Sequence, residues 1–289
     1  MSQAAFKAGL GTARALNVRA YPSRPKPSSK TRRVELEAKL ANLQEDYAQL
    51  RTEIFEAAQV HRRLCAPRVV RRGDFEIASE IFAVRQLPGD FFTVDERDND
   101  VILALGDISG KGLAAGMWTP HLVGLVSARA AETSEPEAIV AGVNRDICLT
   151  KSLMPLASLF LARLNPATGV VNYCSAGHPP ALLLRANGEL ELLSEGGLLL
   201  GVLPAASYVR GVVELGVGDV LMIYSDGITE SLNCAAEEFG DARLEAQLRN
   251  AHGGVADAML FSVLGAVQDF AAACPPVDDM SLAIIRRDK

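Results

Sequence analysis

Four aspartates stand where apolar runs begin or end. Asp90 precedes Phe91-Phe92-Thr93-Val94. Asp107 closes Val101-Ile102-Leu103-Ala104-Leu105-Gly106, and Asp226 closes Val220-Leu221-Met222-Ile223-Tyr224-Ser225. Asp278, beside Asp279, precedes Met280-Ser281-Leu282-Ala283-Ile284-Ile285. Runs this apolar predict strands buried in sheets, so acids at their ends are expected to converge on one partly desolvated rim. Clustered carboxylates repel, and the ionised form of each is disfavoured unless cations neutralise the group. Donors that are all oxygen select hard ions, Mg²⁺ or Mn²⁺, over zinc. Two such ions about 3.5–4 Å apart can bind a phosphoryl group and activate water. Any single aspartate here is equally an ordinary turn former or cap. Four in one pattern, two of them directly after a glycine, weigh against that reading.

Other reactive residues carry less. Cys65 and Arg71 have the Cys-x5-Arg spacing of cysteine phosphatases, but the segment between them lacks the glycines that wrap a phosphate, and it lies at a helix end. Gly106 to Lys111 is one residue short of a P-loop, and Gly112 stands where Ser or Thr would bind Mg²⁺. Lys111 is read as solvated. His178, between Gly177 and two prolines, is read as fixing a loop and not as a general acid.

Five segments occur in order: Gly89-Asp90-Phe91-Phe92, Gly106-Asp107-Ile108-Ser109-Gly110-Lys111-Gly112, Ser175-Ala176-Gly177-His178-Pro179-Pro180, Ser225-Asp226-Gly227-Ile228-Thr229-Glu230 and Asp278-Asp279-Met280-Ser281. Together they resemble the metal-dependent type 2C (PPM) protein phosphatases, in the bacterial branch typified by SpoIIE and RsbU. The resemblance runs from about residue 56 to the end. It implies an α+β fold, a four-layer α-β-β-α sandwich of two antiparallel sheets flanked by helices. It also implies two divalent metal ions, Mn²⁺ or Mg²⁺, and hydrolysis of phosphoserine or phosphothreonine on a protein by metal-activated water. By position, Asp107 would bridge both metals and the Ile108 carbonyl would add a ligand. Asp90 would hold one metal, and Asp226 and Asp278 would complete the other, with Asp278 ranked above Asp279. Asp107 and Asp226 are thereby the catalytic candidates. Pro88 departs from the branch, which usually has glycine there, and stiffens the approach to Asp90. The substrate implied is a phosphorylated anti-sigma-factor antagonist in a partner-switching pathway. The alternative is a weak or inactive phosphatase-fold scaffold that binds a signalling partner; the presence of all four acids argues against it.

The elements that must position these acids are legible as short runs. Strands are expected at 75–84, 101–105, 159–164, 170–174, 181–184, 212–215, 220–224 and 280–285. Asn165 to Gly169 and Asn187-Gly188 are hairpin turns. Consecutive hairpins mean antiparallel sheet. Helices are expected at 113–131, 136–151, 241–251 and 255–273, the second with Ser134 as N-cap and Pro136 early. Upstream, Leu36, Leu40, Leu43, Tyr47, Leu50, Ile54, Ala57, His61 and Leu64 alternate spacings of four and three, the heptad seam of a coiled coil. That segment, 31–66, is read as a regulatory helix and a possible homodimer seam, with His61 an interhelical contact. Its C-terminal end weakens toward the phosphatase domain, 67–289. Residues 1–30, with Pro22, Pro25 and Pro27, read as a flexible basic leader.

Composition bounds the rest. The 289 residues are 49% hydrophobic, enough for one large domain with an appendage. Residues 1–72 hold 15 Lys/Arg against 6 Asp/Glu, and the remainder 14 against 29. No aromatic or groove-reading motif accompanies the basic head, so nucleic acid and membrane are not expected partners. The five cysteines are scattered without a CxxC pair, which disfavours a disulfide framework and fits a reducing cytoplasm.

Overall fold

The computed structural model describes residues 29–65, 69–97, 99–150 and 155–288. The basic leader therefore lies almost wholly outside the described residues. The chain divides at Leu50/Arg51 into two compact units. Helix α1 (Ser29–Cys65) is continuous. In the first unit its expected seam, Leu36, Leu40, Leu43, Tyr47 and Leu50, is exposed.

Among the described residues, the second unit holds twelve strands and five helices besides the end of α1. The strands are β1 (Val69–Arg72), β2 (Phe75–Phe82), β3 (Phe91–Glu96), β4 (Val101–Ile108), β5 (Ala157–Leu164), β6 (Val170–Ala176), β7 (Ala181–Leu184), β8 (Leu190–Leu193), β9 (Gly196–Gly197), β10 (Gly211–Glu214), β11 (Val220–Tyr224) and β12 (Met280–Arg287). The helices are α2 (Leu113–Glu132), α3 (Pro136–Leu149), α4 (Asp226–Thr229), α5 (Gly240–Ala251) and α6 (Ala256–Ala271). One sheet runs β1-β2-β12-β11-β7-β8; the other runs β10-β6-β5-β4-β3, with β9 beside β6. The pairings are antiparallel except the short β6–β9 contact, which is parallel.

Period-two alternation assembles the layers. Along β4, Val101, Leu103 and Leu105 meet Leu221, Ile223 and Ile285 of the other sheet. Ile102, Ala104 and Ile108 face the opposite way, onto Leu122 and Val126 of α2 and Ile139 and Val143 of α3. Beyond the other sheet, Met222 and Ile284 pack on Leu244 of α5 and Met259 and Val263 of α6. The order is α-β-β-α. Strands covered on both faces must be apolar at every position, which is why β4 and β11 read as unbroken runs. Each such buried Leu or Ile contributes roughly 1.5–3 kcal/mol.

Four expectations need correction. Ser134 does not cap α3: the cap is Glu135, whose carbonyl takes the amides of Ala138 and Ile139. Over the end of α1 the inward stripe leaves the expected heptad seam by one residue at two positions. Half-buried Ile54 and Ala58 and buried His61 and Cys65 face inward, whereas Ala57 and Leu64 are exposed. His61 is therefore taken up by the domain and not by a second helix; burial pushes its pKa down, partly offset by a backbone bond with Gly116. Finally, Cys234 and Cys274 form a disulfide across 40 residues of sequence, whereas Cys65, Cys148 and Cys174 are free thiols. Among the described residues no helix is long and apolar enough to cross a membrane.

Candidate metal centre

The two sheets each deliver two acids to one rim. Asp90 stands directly before β3 and Asp107 is the penultimate residue of β4; these neighbours pair from Phe91↔Gly106 to Glu96↔Val101. Asp226 opens α4 after β11, and Asp278 lies two residues before β12; those strands pair from Tyr224↔Leu282 to Val220↔Arg286. Asp90 is the deepest, 2% exposed. Its carboxylate accepts a hydrogen bond from the Ser281 hydroxyl at 2.5 Å, which ties the two sheets together at the site.

The electrostatics follow from the acids sharing one neighbourhood. Burial raises Asp90 well above the usual carboxylate range, and the charge of Asp107 raises it further, with Ser281 and Ser225 opposing. Burial pushes Asp107 up to about 6, helped by Asp226, Asp278 and Asp279 and opposed by its bond with Asp90. Asp226 is raised by burial and by Asp278. Like charges held this close without compensation oppose folding at neutral pH. Gly89 leaves a cradle beside them: a Cβ there would lie 3.1 Å from the Ile108 carbonyl oxygen and 3.5 Å from Asp107 Oδ1. A backbone carbonyl and a carboxylate thus face one small space. As their side chains lie, no three His, Cys, Asp or Glu among the described residues are gathered tightly enough to hold a metal unaided.

The neighbouring Asp278 and Asp279 differ in what they touch. Both oxygens of Asp279 accept backbone amides, Val84 at 2.8 Å and Gly89 at 2.9 Å. Asp279 thereby fastens the loop that leads into Asp90. Asp278 instead accepts Lys111 Nζ at 2.7 Å, with both side chains more than two-fifths exposed. Lys111 also donates to the Val277 carbonyl at 3.1 Å, so it is not simply solvated.

The profile of the family described as Stage II sporulation protein E (SpoIIE) matches residues 97–288. This chain belongs to the SpoIIE family. The phosphoserine phosphatase RsbU of Bacillus subtilis is 24% identical over 183 residues, which are 63% of this chain and 55% of RsbU. The chain thus spans about half the length of that relative. Among solved structures, the SiaA-PP2C domain of Pseudomonas aeruginosa superimposes with a TM-score of 0.74 at 15% identity, over 84% of this chain and 99% of that domain. The catalytic domain of the serine/threonine phosphatase PstP, in complex with two manganese ions, does so with a TM-score of 0.53 at 16% identity, over 74% and 99%. Likeness at these identities establishes the PP2C fold.

The SpoIIE-family frame also disposes of the competing residues. Burial pushes the Cys65 thiol up to about 11, which removes it as a nucleophile at neutral pH, and Arg71 is paired with Glu76 at 2.8 Å. His178 is buried, and burial pushes it down to about 3, so it is neutral. Its Nδ1 lies 2.8 Å from Ser158 Oγ, and Ser175 Oγ bonds both its backbone groups. These contacts fix the turn into β7. Sequence reasoning missed Asp279 as a fastener and Arg85 altogether. Arg85 is exposed, and its guanidinium lies 2.9 Å from where a Cβ of Gly112 would be, one residue from Lys111. Its loop position carries no periodic signal.

Proposed function

We propose that this chain is a metal-dependent serine/threonine protein phosphatase acting on a phosphorylated anti-sigma-factor antagonist in a partner-switching pathway. One observation carries the reading: four carboxylates, two from each sheet, meet at one rim, and their neighbourhood holds Asp107 up near 6. A site that gathers like charges is suited to cations, and oxygen donors alone suit Mn²⁺ or Mg²⁺. When bound, two such ions would offset the repulsion, polarise the phosphoryl oxygens and activate water for in-line attack. Asp90, Asp107, Asp226, Asp278 and the Ile108 carbonyl are the proposed ligands, with Asp107 central. Asp279 is excluded from the set because both its oxygens are engaged by amides. Lys111 and Arg85 are the cations proposed to steady the phosphoryl group and hold its orientation. In this reading 67–289 is the phosphatase domain, 31–66 a regulatory helix that dimerises through its exposed stripe, 1–30 a leader, and the cytoplasm the site of action.

The test is hydrolysis of a phosphoserine-bearing antagonist. Protein stripped by EDTA is expected to release no phosphate and to recover on adding Mn²⁺. Turnover that survives EDTA but is lost to a thiol alkylator would refute the metal site in favour of cysteine chemistry.

A further inference from the structure

The Cys234–Cys274 disulfide joins the same two segments that deliver Asp226 and Asp278. Cys234 lies in the short hairpin after α4, closed by the Leu232↔Glu238 bridge. That hairpin is fastened to α4 by Ser231, whose hydroxyl donates to the Gly227 carbonyl at 2.8 Å. Cys274 follows α6 and is separated from Asp278 only by Pro275, Pro276 and Val277. Two prolines fix φ and make that connection stiff. The segments already touch at the site itself: a Cβ on Gly227 would lie 2.0 Å from the Asp279 carbonyl oxygen. The disulfide is a second, covalent tie between them.

Backbone strain gathers at both anchors. Among the described residues, the non-glycine positions with positive φ are Ala236 at 59° and Ala272 at 53°. Each is two residues from a bridged cysteine. An alanine holds such a conformation only where its surroundings over-determine it. Access is suitable as well. Cys234 is exposed and Cys274 half-buried, whereas Cys65 and Cys174 are buried.

We propose that Cys234 and Cys274 form a redox-responsive clasp on the metal centre: a dithiol reductant opens it and loosens the Asp226 and Asp278 segments, and the reverse exchange, in which the disulfide form of that reductant takes up the two electrons and two protons, closes it. In the reductive step the sulfur–sulfur bond breaks and each cysteine gains one electron and one proton. The dithiol supplies both electrons and both protons as it closes its own disulfide. The clasp rests on the metal-site reading above, and its test separates the two.

The full chain is compared in three forms: air-oxidised, reduced with a phosphine that is then removed, and as Cys234→Ser/Cys274→Ser, with thiols counted by mass. Backbone hydrogen exchange and Mn²⁺ binding by calorimetry are read on each. Reduction is expected to speed exchange over 226–239 and 272–279 while leaving 101–108 unchanged, and to weaken Mn²⁺ binding roughly tenfold, the scale of lost support around a metal ligand. The double variant should match the reduced protein and ignore the reductant. Free thiols at Cys234 and Cys274 in the oxidised sample, or exchange over both segments that is equal in the two states, would overturn the clasp. Equal Mn²⁺ affinity in the two states would overturn its control of the site. Absence of Mn²⁺ binding in every form would overturn the metal-site reading instead, with exchange still judging the clasp.

Discussion

The two sides of the acidic rim hold the same residue type in different ways. On one sheet, Asp90 and Asp107 are set by the β3–β4 ladder and a buried bond to Ser281. On the other, Asp226 opens α4 and Asp278 lies in the connection before β12, and Asp278 pairs with a lysine in partly exposed surroundings. The first pair, Asp90 buried and Asp107 half-buried, is fixed by strand pairing; the second is more exposed and held by fewer buried contacts, so substitutions on the two sides should differ in kind.

The largest effect is expected on the fixed side. Asp107→Asn should lower turnover roughly 100–1,000-fold, the scale of removing one electrostatic group from a reaction centre. It should also stabilise the metal-free fold at pH 7–8, by at most about 3 kcal/mol given the rise of Asp107 from 3.8 to about 6. Denaturant melts of stripped protein beside phosphate release check both. A variant both slower and less stable would contradict the repulsion argument.

Asp279→Ala and Asp278→Asn should part company. The first strands the amides of Val84 and Gly89, and at roughly 1–3 kcal/mol for each unsatisfied buried group should cost about 2–6 kcal/mol. The second should leave stability within about 0.5 kcal/mol, as for an exposed ion pair, while weakening Mn²⁺ binding. Chemical denaturation and calorimetry on the two variants distinguish a fastener from a ligand.

The pH dependence follows from the raised carboxylates. Asp107 binds its proton more tightly folded than unfolded, so its contribution to metal-free stability is complete below about 4 and lost as pH rises through about 6. The melting temperature of stripped protein should therefore fall between about pH 4 and 6, and Mn²⁺ should remove most of that fall. Asp107→Asn should flatten the profile.

The smallest effect belongs to the exposed side. Lys111→Gln removes a cation that competes for Asp278 and should tighten Mn²⁺ binding about two- to fivefold, in line with an exposed pair of roughly 0.2–1 kcal/mol. Weaker binding in this variant would make Lys111 a support of the site and not a competitor.

The convergence of the four acids was legible because each flanks an apolar run, and such runs mark strands covered on both faces. The layers were legible for the same reason. What escaped notice depends on distance or on a single residue of phase. The disulfide joins positions 40 apart with no local pattern. The inward stripe of α1 at Ile54, Ala58, His61 and Cys65 departs from the heptad seam by one residue at two positions, a difference that only the packed domain selects. Asp279 is indistinguishable from Asp278 by residue type; its role is set by the amides it meets. Strands β1 and β8 are short, and β9 is two glycines, too brief for alternation to register.

The most direct measurement is the rate of phosphate release from a phosphoserine-bearing antagonist across Mn²⁺ concentration, for the wild-type chain, Asp107→Asn and Asp226→Asn, with EDTA as the zero point. A wild-type rate that climbs with Mn²⁺ and vanishes in EDTA, beside two folded variants with turnover down at least about 100-fold, is the predicted result. Wild-type rates in either variant, or activity indifferent to EDTA, would contradict the assignment of the rim as a metal-dependent phosphatase centre.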